Sequence, residues 1–120
     1  MNKKRILIFD DNAAVLDVLQ YVFIENGYEV SVSRTLQNAI ERADDFQPDL
    51  ILMDYMVPEI SGIETINRLK SRHSLNGIPI ILVSASNNII MLKNRSGAND
   101  YLRKPFNLWD LEAMVHKYLC

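Results

Sequence analysis

The chain has 120 residues, of which 48% are hydrophobic, and its formal net charge at pH 7 is -2. This length and composition predict one compact domain that covers residues 1–120. The charge balance argues against direct nucleic-acid binding, since the densest basic run is only Lys3, Lys4 and Arg5.

Membrane and export signals are absent from the sequence pattern. No apolar stretch approaches the roughly 20 residues that a membrane span requires, and the apolar segment after the basic N-terminus is too short for a signal peptide. The single cysteine, Cys120, cannot form an internal disulfide, and we assign it no function. The sequence therefore predicts a cytoplasmic protein without a membrane partner.

The first strand and the first helix are separated by acids. The continuous apolar run of residues 6–9 is typical of a strand that is covered on both faces, and it ends on Asp10 and Asp11. Apolar residues then recur at i, i+4, i+7 and i+8 from Val15, which indicates one face of a helix. We expect Asp11 or Asn12 to cap this helix, but capping does not explain both aspartates.

The next elements are a short strand and a second helix. Asn26 and Gly27 are expected to end the first helix, and Val30 and Val32 alternate with polar residues in the manner of a strand. A second helix is then predicted before Pro48, with one apolar face made of Leu36, Ala39, Ile40 and Ala43.

The central strand ends on a carboxylate. Residues 50–53 form an uninterrupted apolar run, and Asp54 follows at the carboxyl end, where open parallel sheets bind their ligands. An acid in this position can also be a simple turn or cap residue. A third helix carries Ile63, Ile66 and Leu69 on one side, and the apolar run of residues 78–83 predicts a strand that delivers Ser84.

The last third of the chain contains the weakest helix. Residues 87–96 show no clean apolar face, and their asparagines lower helix propensity, so we expect a short or irregular fourth helix that ends at Gly97. Tyr101 and Leu102 form a brief fifth strand, and Lys104 follows it. A final amphipathic helix is predicted from Leu108, Leu111, Val115 and Leu119.

Five alternating strand and helix units predict a flavodoxin-like α/β fold with a parallel sheet in the order 2-1-3-4-5. Strands one, three, four and five would bring together three carboxylates, one hydroxyl and one ammonium, namely Asp10, Asp11, Asp54, Ser84 and Lys104. Crowded carboxylates repel one another unless a cation lies among them, and an open oxygen cluster suits Mg²⁺. A metal, a lysine and a hydroxyl around a carboxylate favour phosphoryl-transfer chemistry.

The chain resembles a response-regulator receiver domain of the CheY type over essentially its whole length. The resemblance rests on the acid pair Asp10-Asp11 and on the segments LILMDYMVPEISG, PIILVSAS and GANDYLRKPF. It implies that Asp54 accepts a phosphoryl group from a sensor histidine kinase or phosphotransfer protein, and that Mg²⁺ is held by Asp10, Asp11, Asp54 and the backbone carbonyl of Met56.

The resemblance also implies a switch rather than an enzyme with an external substrate. Ser84 and Lys104 would bind the phosphoryl group, and Tyr101 would respond to it. The surface of the fourth helix, fifth strand and fifth helix would then change its affinity for a downstream effector domain or protein, and phosphorylation could produce a homodimer.

Two alternatives remain open at this point. A degenerate receiver would act as a phosphorylation-independent binding scaffold, although all five predicted site residues are present. A phosphatase of the haloacid-dehalogenase type also uses a strand-end aspartate and Mg²⁺. That family places its acids as Asp-x-Asp after strand one, whereas Asp10 and Asp11 are adjacent here.

Overall fold

The apolar runs of the sequence form strands, and the amphipathic segments between them form helices. The computed structural model describes residues 3–54 and 62–120. Its strands are β1 (Arg5–Phe9), β2 (Glu29–Ser33), β3 (Leu50–Asp54), β4 (Ile80–Ser84) and β5 (Asp100–Arg103). Its helices are α1 (Ala13–Glu25), α2 (Ala39–Phe46), α3 (Gly62–Ser71), α4 (Ile89–Ser96) and α5 (Leu108–Leu119).

The strands form one parallel sheet in the order β2-β1-β3-β4-β5, which confirms the predicted flavodoxin-like topology. The register places Phe9 beside Met53, Asp54 beside Val83, and Ser84 beside Arg103. The residues that follow these positions therefore emerge together at the carboxyl edge of the sheet.

The side chains of each strand point alternately to the two faces of the sheet, and a hydrophobic layer lies on each face. On one face, residues such as Leu7 and Ile51 pack with the buried sides of α2, α3 and α4. On the other face, residues such as Ile8 and Leu52 pack with α1 and α5. Every residue of β3 and β4 is buried, as expected for strands covered by helices on both faces. This double burial holds the carboxyl edge in a defined position.

The first helix begins and ends at the predicted residues. The side-chain oxygen of Asn12 accepts a hydrogen bond from the Val15 N–H, so Asn12 is the N-cap. Gly27 follows the helix with φ of 91°, a left-handed conformation that costs glycine little.

The second helix begins later than the apolar spacing predicts. Leu36 was expected on the helix, but it lies in the preceding turn, and the helix begins only at Ala39. Asn38 has a left-handed backbone with φ of 58°, which asparagine tolerates and which separates Leu36 from the helix. Leu36 is nevertheless buried, so its contribution to the core does not depend on a helical backbone.

The fourth helix is short and has no clean apolar face, as predicted. Its buried residues are Ile89, Leu92 and Ser96, at i, i+3 and i+7, which form a narrow inward side. The neighbouring Ile90 and Met91 are exposed. Apolar residues on the outer surface obscured the periodicity in the sequence.

The fifth helix also differs in detail from its predicted face. Leu111 and Val115 are buried, whereas Leu108 is exposed and Trp109 has 82% of its surface accessible. Within the described ranges, none of the helices has the length and apolar content needed to cross a membrane.

The packing of α1 against the sheet gives a direct test of the fold. Phe23 is fully buried, and its ring meets Tyr28 edge-on at a centroid distance of 6.0 Å. We expect Phe23→Ala to lower the free energy of unfolding by about 3 to 5 kcal/mol, because it removes a buried ring and leaves a cavity. Urea denaturation followed by circular dichroism measures this change.

Tyr21→Ala on the same helix is the matched control, since Tyr21 is largely exposed and should cost less than about 1 kcal/mol. Equal losses for the two variants would contradict the described packing of α1.

Candidate functional site

Two buried acids stand at the carboxyl ends of neighbouring strands. Asp10 directly follows β1 and is 4% exposed, while Asp54 is the last residue of β3 and is 2% exposed. Asp11, the next residue after Asp10, is exposed at the rim of the sheet. One carboxylate oxygen from each of the three residues lies within 4.8 Å of the others. The structure therefore brings the three predicted acids into one cluster.

Lys104 supplies a positive charge to this cluster. Its Nζ donates a hydrogen bond to Asp54 Oδ2 at 2.6 Å and lies 3.6 Å from Asp10 Oδ2. A short bond between two charged groups is among the stronger hydrogen bonds in proteins. The ammonium thus bridges the two buried carboxylates.

The backbone of Lys104 is held by the neighbouring strand. Its N–H donates to the carbonyl oxygen of Ser84 at 2.9 Å, so the end of β4 positions the residue that follows β5. The Lys104–Pro105 peptide bond is cis. Phe106 then packs against the hydrophobic layer under α1 and α5. Both sides of Lys104 are anchored, which directs its side chain across the sheet edge.

The environment of Asp10 disfavours its charged form. Burial raises the pKa of Asp10, and the nearby Asp54 carboxylate raises it further. The Asn12 N–H, which donates to Asp10 Oδ1 at 3.0 Å, and the Lys104 ammonium both lower it. The result is a pKa of about 6 for Asp10. The negative charge of the buried Asp10 and Asp54 carboxylates is therefore only partly stabilised by their surroundings.

The environment of Lys104, in contrast, favours its charged form. Burial lowers the pKa of this ammonium, but the hydrogen bond to Asp54 and the charges of Asp54 and Asp10 outweigh the burial and raise the pKa above its usual value. Lys104 is consequently a permanent cation at physiological pH.

The donor set of the cluster fits a hard divalent cation. Three carboxylates offer oxygen ligands, two from a rigid, buried position and one from the exposed rim. Mg²⁺ prefers oxygen ligands and retains several waters, which suits a cluster with one carboxylate on the exposed rim. The predicted fourth ligand, the carbonyl of Met56, lies outside the described residues.

Ser84 occupies the end of β4, next to the acid-bearing strand. Asp54 pairs with Val83, so Ser84 lies one residue further along the adjacent strand, and it is fully buried. Its hydroxyl oxygen accepts a hydrogen bond from the Ser86 N–H at 3.0 Å. Ser84 therefore borders the cluster and stabilises the turn that follows β4.

Tyr101 lies on one face of the sheet rather than at its edge. The side chain is half-buried and packs against the layer that contains Ile89 and Leu92 of α4. Tyr101 thus packs into the hydrophobic layer that α4 also joins, while Lys104, on the same segment, reaches the acids.

Sequence reasoning overlooked a cation at this edge. Arg34 directly follows β2, and its Nε donates to the backbone carbonyl of Asp11 at 3.1 Å. The signal was available, because β2 is parallel to β1 and its carboxyl end must lie at the same edge as Asp10.

The fold and the site define a doubly wound α/β domain with an acidic cluster at the carboxyl edge of its sheet and one lysine beside a buried aspartate. Residues 6–116 match the family of response regulator receiver domains. The chain belongs to this family, and it is a receiver domain of two-component signalling. The CheY-like resemblance inferred from the sequence is confirmed.

Individual relatives agree with this assignment. The chain is 34% identical over 121 residues to the alkaline phosphatase synthesis transcriptional regulatory protein PhoP of Bacillus subtilis, a match that covers 99% of this chain and 49% of PhoP. The chain spans about half the length of the curated relatives it matches.

Solved structures give the same result. A putative response regulator from Chloroflexus aurantiacus superimposes with a TM-score of 0.90 at 29% identity, covering 98% of each chain. The receiver domain of sensor histidine kinase PA1611 from Pseudomonas aeruginosa has a TM-score of 0.86 at 26% identity, again covering 98% of each chain. That domain was crystallised with a magnesium ion coordinated in its active-site cleft.

The raised pKa of Asp10 predicts an unusual stabilising substitution. In metal-free protein at pH 8, Asp10→Asn should raise the free energy of unfolding by about 1 to 3 kcal/mol, because it removes a buried negative charge. Asparagine keeps an oxygen that can accept from the Asn12 N–H. Denaturant unfolding in a chelating buffer measures the difference.

The pH dependence of the free energy of unfolding follows from the upward shift of the Asp10 pKa. The folded pKa of about 6 exceeds the ordinary value of 3.8, so the natural protein loses stability as pH rises through this interval, and the advantage of Asp10→Asn should vanish near pH 4. Asp17→Asn, on the exposed side of α1, is the control and should change little. A destabilised Asp10→Asn variant at pH 8 would contradict this electrostatic account.

Proposed function

We propose that this domain is a phosphorylation switch in which Asp54 accepts a phosphoryl group from a sensor histidine kinase or a phosphotransfer protein. The observation that carries the proposal is the contact between Asp54 and Lys104, at 2.6 Å, inside a cluster of three carboxylates. A buried carboxylate at the end of the central strand, with one oxygen already facing a fixed cation, is well placed to act as a nucleophile.

The metal assignment follows from the same cluster. Asp10, Asp11 and Asp54 would hold Mg²⁺, together with the backbone carbonyl of Met56. The bound ion would supply positive charge to the phosphoryl oxygens during transfer. Support comes from the oxygen donors of the cluster and from the magnesium-bound PA1611 receiver domain.

The chemical step consists of one displacement at phosphorus. A carboxylate oxygen of Asp54 forms a bond to phosphorus, and the bond between phosphorus and the donor's leaving atom breaks, which gives an aspartyl phosphate and the free donor. Lys104 would move its hydrogen bond from the carboxylate to a phosphoryl oxygen, and the Ser84 hydroxyl would donate to another. No external substrate is turned over, since the product is the modified protein itself.

The output would arise on the side of α4. If Ser84 turns toward the phosphoryl group, the turn held by its bond to the Ser86 N–H must adjust, and α4, which follows this turn, shares a hydrophobic layer with Tyr101. We expect the surface of α4, β5 and α5 to change its affinity for a downstream effector domain or protein, or for a second copy of the domain. The relative PhoP is a transcriptional regulatory protein, which supports an effector that controls transcription.

Labelling by a small phosphodonor tests the proposal. Acetyl phosphate with Mg²⁺ should convert the natural protein to a hydroxylamine-sensitive phosphoprotein, and Asp54→Asn should abolish the product because the amide is not a nucleophile of comparable strength. A chelator should also abolish it. Intact-mass spectrometry measures the phosphorylated fraction.

Asp45→Asn, an exposed acid on α2, is the matched control and should be labelled like the natural protein. Full labelling of Asp54→Asn would show that another residue is the acceptor. A natural protein that resists labelling but binds its partner would instead be the scaffold considered as the alternative function.

A further inference from the structure

Arg34 lies in a well-defined turn next to the loop that carries Asp10 and Asp11. The Ser33 hydroxyl donates to the Thr35 carbonyl at 2.8 Å and accepts from the Thr35 N–H at 3.3 Å, so the two residues flanking Arg34 are bonded to each other twice. The Asp10 N–H donates to the Ser33 carbonyl at 3.1 Å, which links this turn to the acid-bearing loop. The position of Arg34 is therefore built into the sheet edge.

The side chain of Arg34 approaches the exposed acid of the cluster. Its Nε bonds to the Asp11 carbonyl at 3.1 Å, and the Asp11 carboxylate is only a few covalent bonds away from that oxygen. Among the described residues, the two Nη nitrogens of Arg34 make no hydrogen bond or ion pair. The guanidinium is exposed, and it lies beside the backbone of Asp11, whose carboxylate belongs to the cluster, so its positive charge adds to the electrostatic field at the site and is partly screened by salt.

Counting formal charges shows what Arg34 changes. The three carboxylates and the Lys104 ammonium leave two uncompensated negative charges, which one Mg²⁺ would neutralise. A neutral site has no net attraction for a dianionic phosphoryl group. The positive charge of Arg34 makes the magnesium-loaded site net positive, so this site attracts a dianionic phosphoryl group. The same charge makes the metal-free site less negative, so that site attracts Mg²⁺ less strongly than it would without Arg34.

We propose that Arg34 sets the electrostatic preference of the site: it weakens the binding of Mg²⁺ and strengthens the capture of dianionic phosphoryl donors by the magnesium-loaded domain. The inference rests on the proposed phosphoacceptor function. The ligand class is a phosphoryl group with two negative charges, as in acyl phosphates, phosphoramidates and phosphohistidine.

Two measurements on Arg34→Gln test the proposal at pH 8 and low ionic strength. Calorimetric titration with Mg²⁺ should give a dissociation constant roughly two- to five-fold smaller than that of the natural protein, because a repelling charge is removed. At saturating Mg²⁺, initial rates of phosphoprotein formation should show a KM for phosphoramidate that is larger by a similar factor. Raising the salt concentration should shrink both differences.

The opposite directions of the two effects separate charge from structure. A variant that merely loosened the β2–α2 turn would bind both the metal and the donor less well. Arg34→Lys retains the charge and should restore both values, and Arg68→Gln, an exposed site on α3, should leave both unchanged. Unchanged or weakened Mg²⁺ binding by Arg34→Gln, or an unchanged KM, would overturn the proposal.

A third measurement compares two sources of the phosphoryl group, the small donor phosphoramidate and a phosphorylated histidine-containing domain. If Arg34 acts on the phosphoryl charge itself, Arg34→Gln should weaken transfer from a phosphorylated histidine-containing domain as it weakens transfer from phosphoramidate. An effect confined to phosphoramidate would overturn the proposal that Arg34 acts on the phosphoryl charge itself. If neither the natural protein nor any variant were phosphorylated, the proposed phosphoacceptor function would be wrong. The Mg²⁺ titrations would still test whether Arg34 weakens metal binding.

Discussion

The ion pair between Lys104 and Asp54 is the interaction on which the site depends. Two carboxylates, Asp10 and Asp54, are almost completely buried within the same cluster, and their mutual repulsion would be costly without a cation between them. The Lys104 ammonium bonds to one and lies close to the other. The arrangement leaves the cluster short of positive charge, which is the condition that favours a divalent cation.

The rest of the fold serves to hold this pair in place. Two hydrophobic layers bury the central strands, so β3 presents Asp54 and β1 presents Asp10 from positions that cannot move independently. Lys104 is tied through its backbone to the end of β4. Tyr101, three residues earlier, packs toward α4. One short segment therefore joins the acidic edge to the sheet face that α4 covers.

Much of this architecture follows from sequence patterns. Uninterrupted apolar runs predicted the strands, and parallel topology then predicted that Asp54 and Lys104 would meet. Features that depend on tertiary packing were missed. Leu36 is buried from a turn rather than a helix, and Leu108, predicted on the apolar face of α5, is exposed. The parallel pairing of β1 and β2 places Arg34 at the same edge as Asp10, but its specific contact with the Asp11 backbone carbonyl has no signature in the side-chain pattern. The Met56 carbonyl stays a prediction.

A double-mutant cycle between Asp54→Asn and Lys104→Met measures the central interaction directly. Because the two groups are joined by a short charged hydrogen bond in a buried site, unfolding in metal-free buffer should give a favourable coupling energy of about 1.5 to 3 kcal/mol. Saturating Mg²⁺ should reduce this coupling, since the metal competes with Lys104 for the carboxylate. A coupling energy near zero without metal, or one that Mg²⁺ leaves unchanged, would contradict the account.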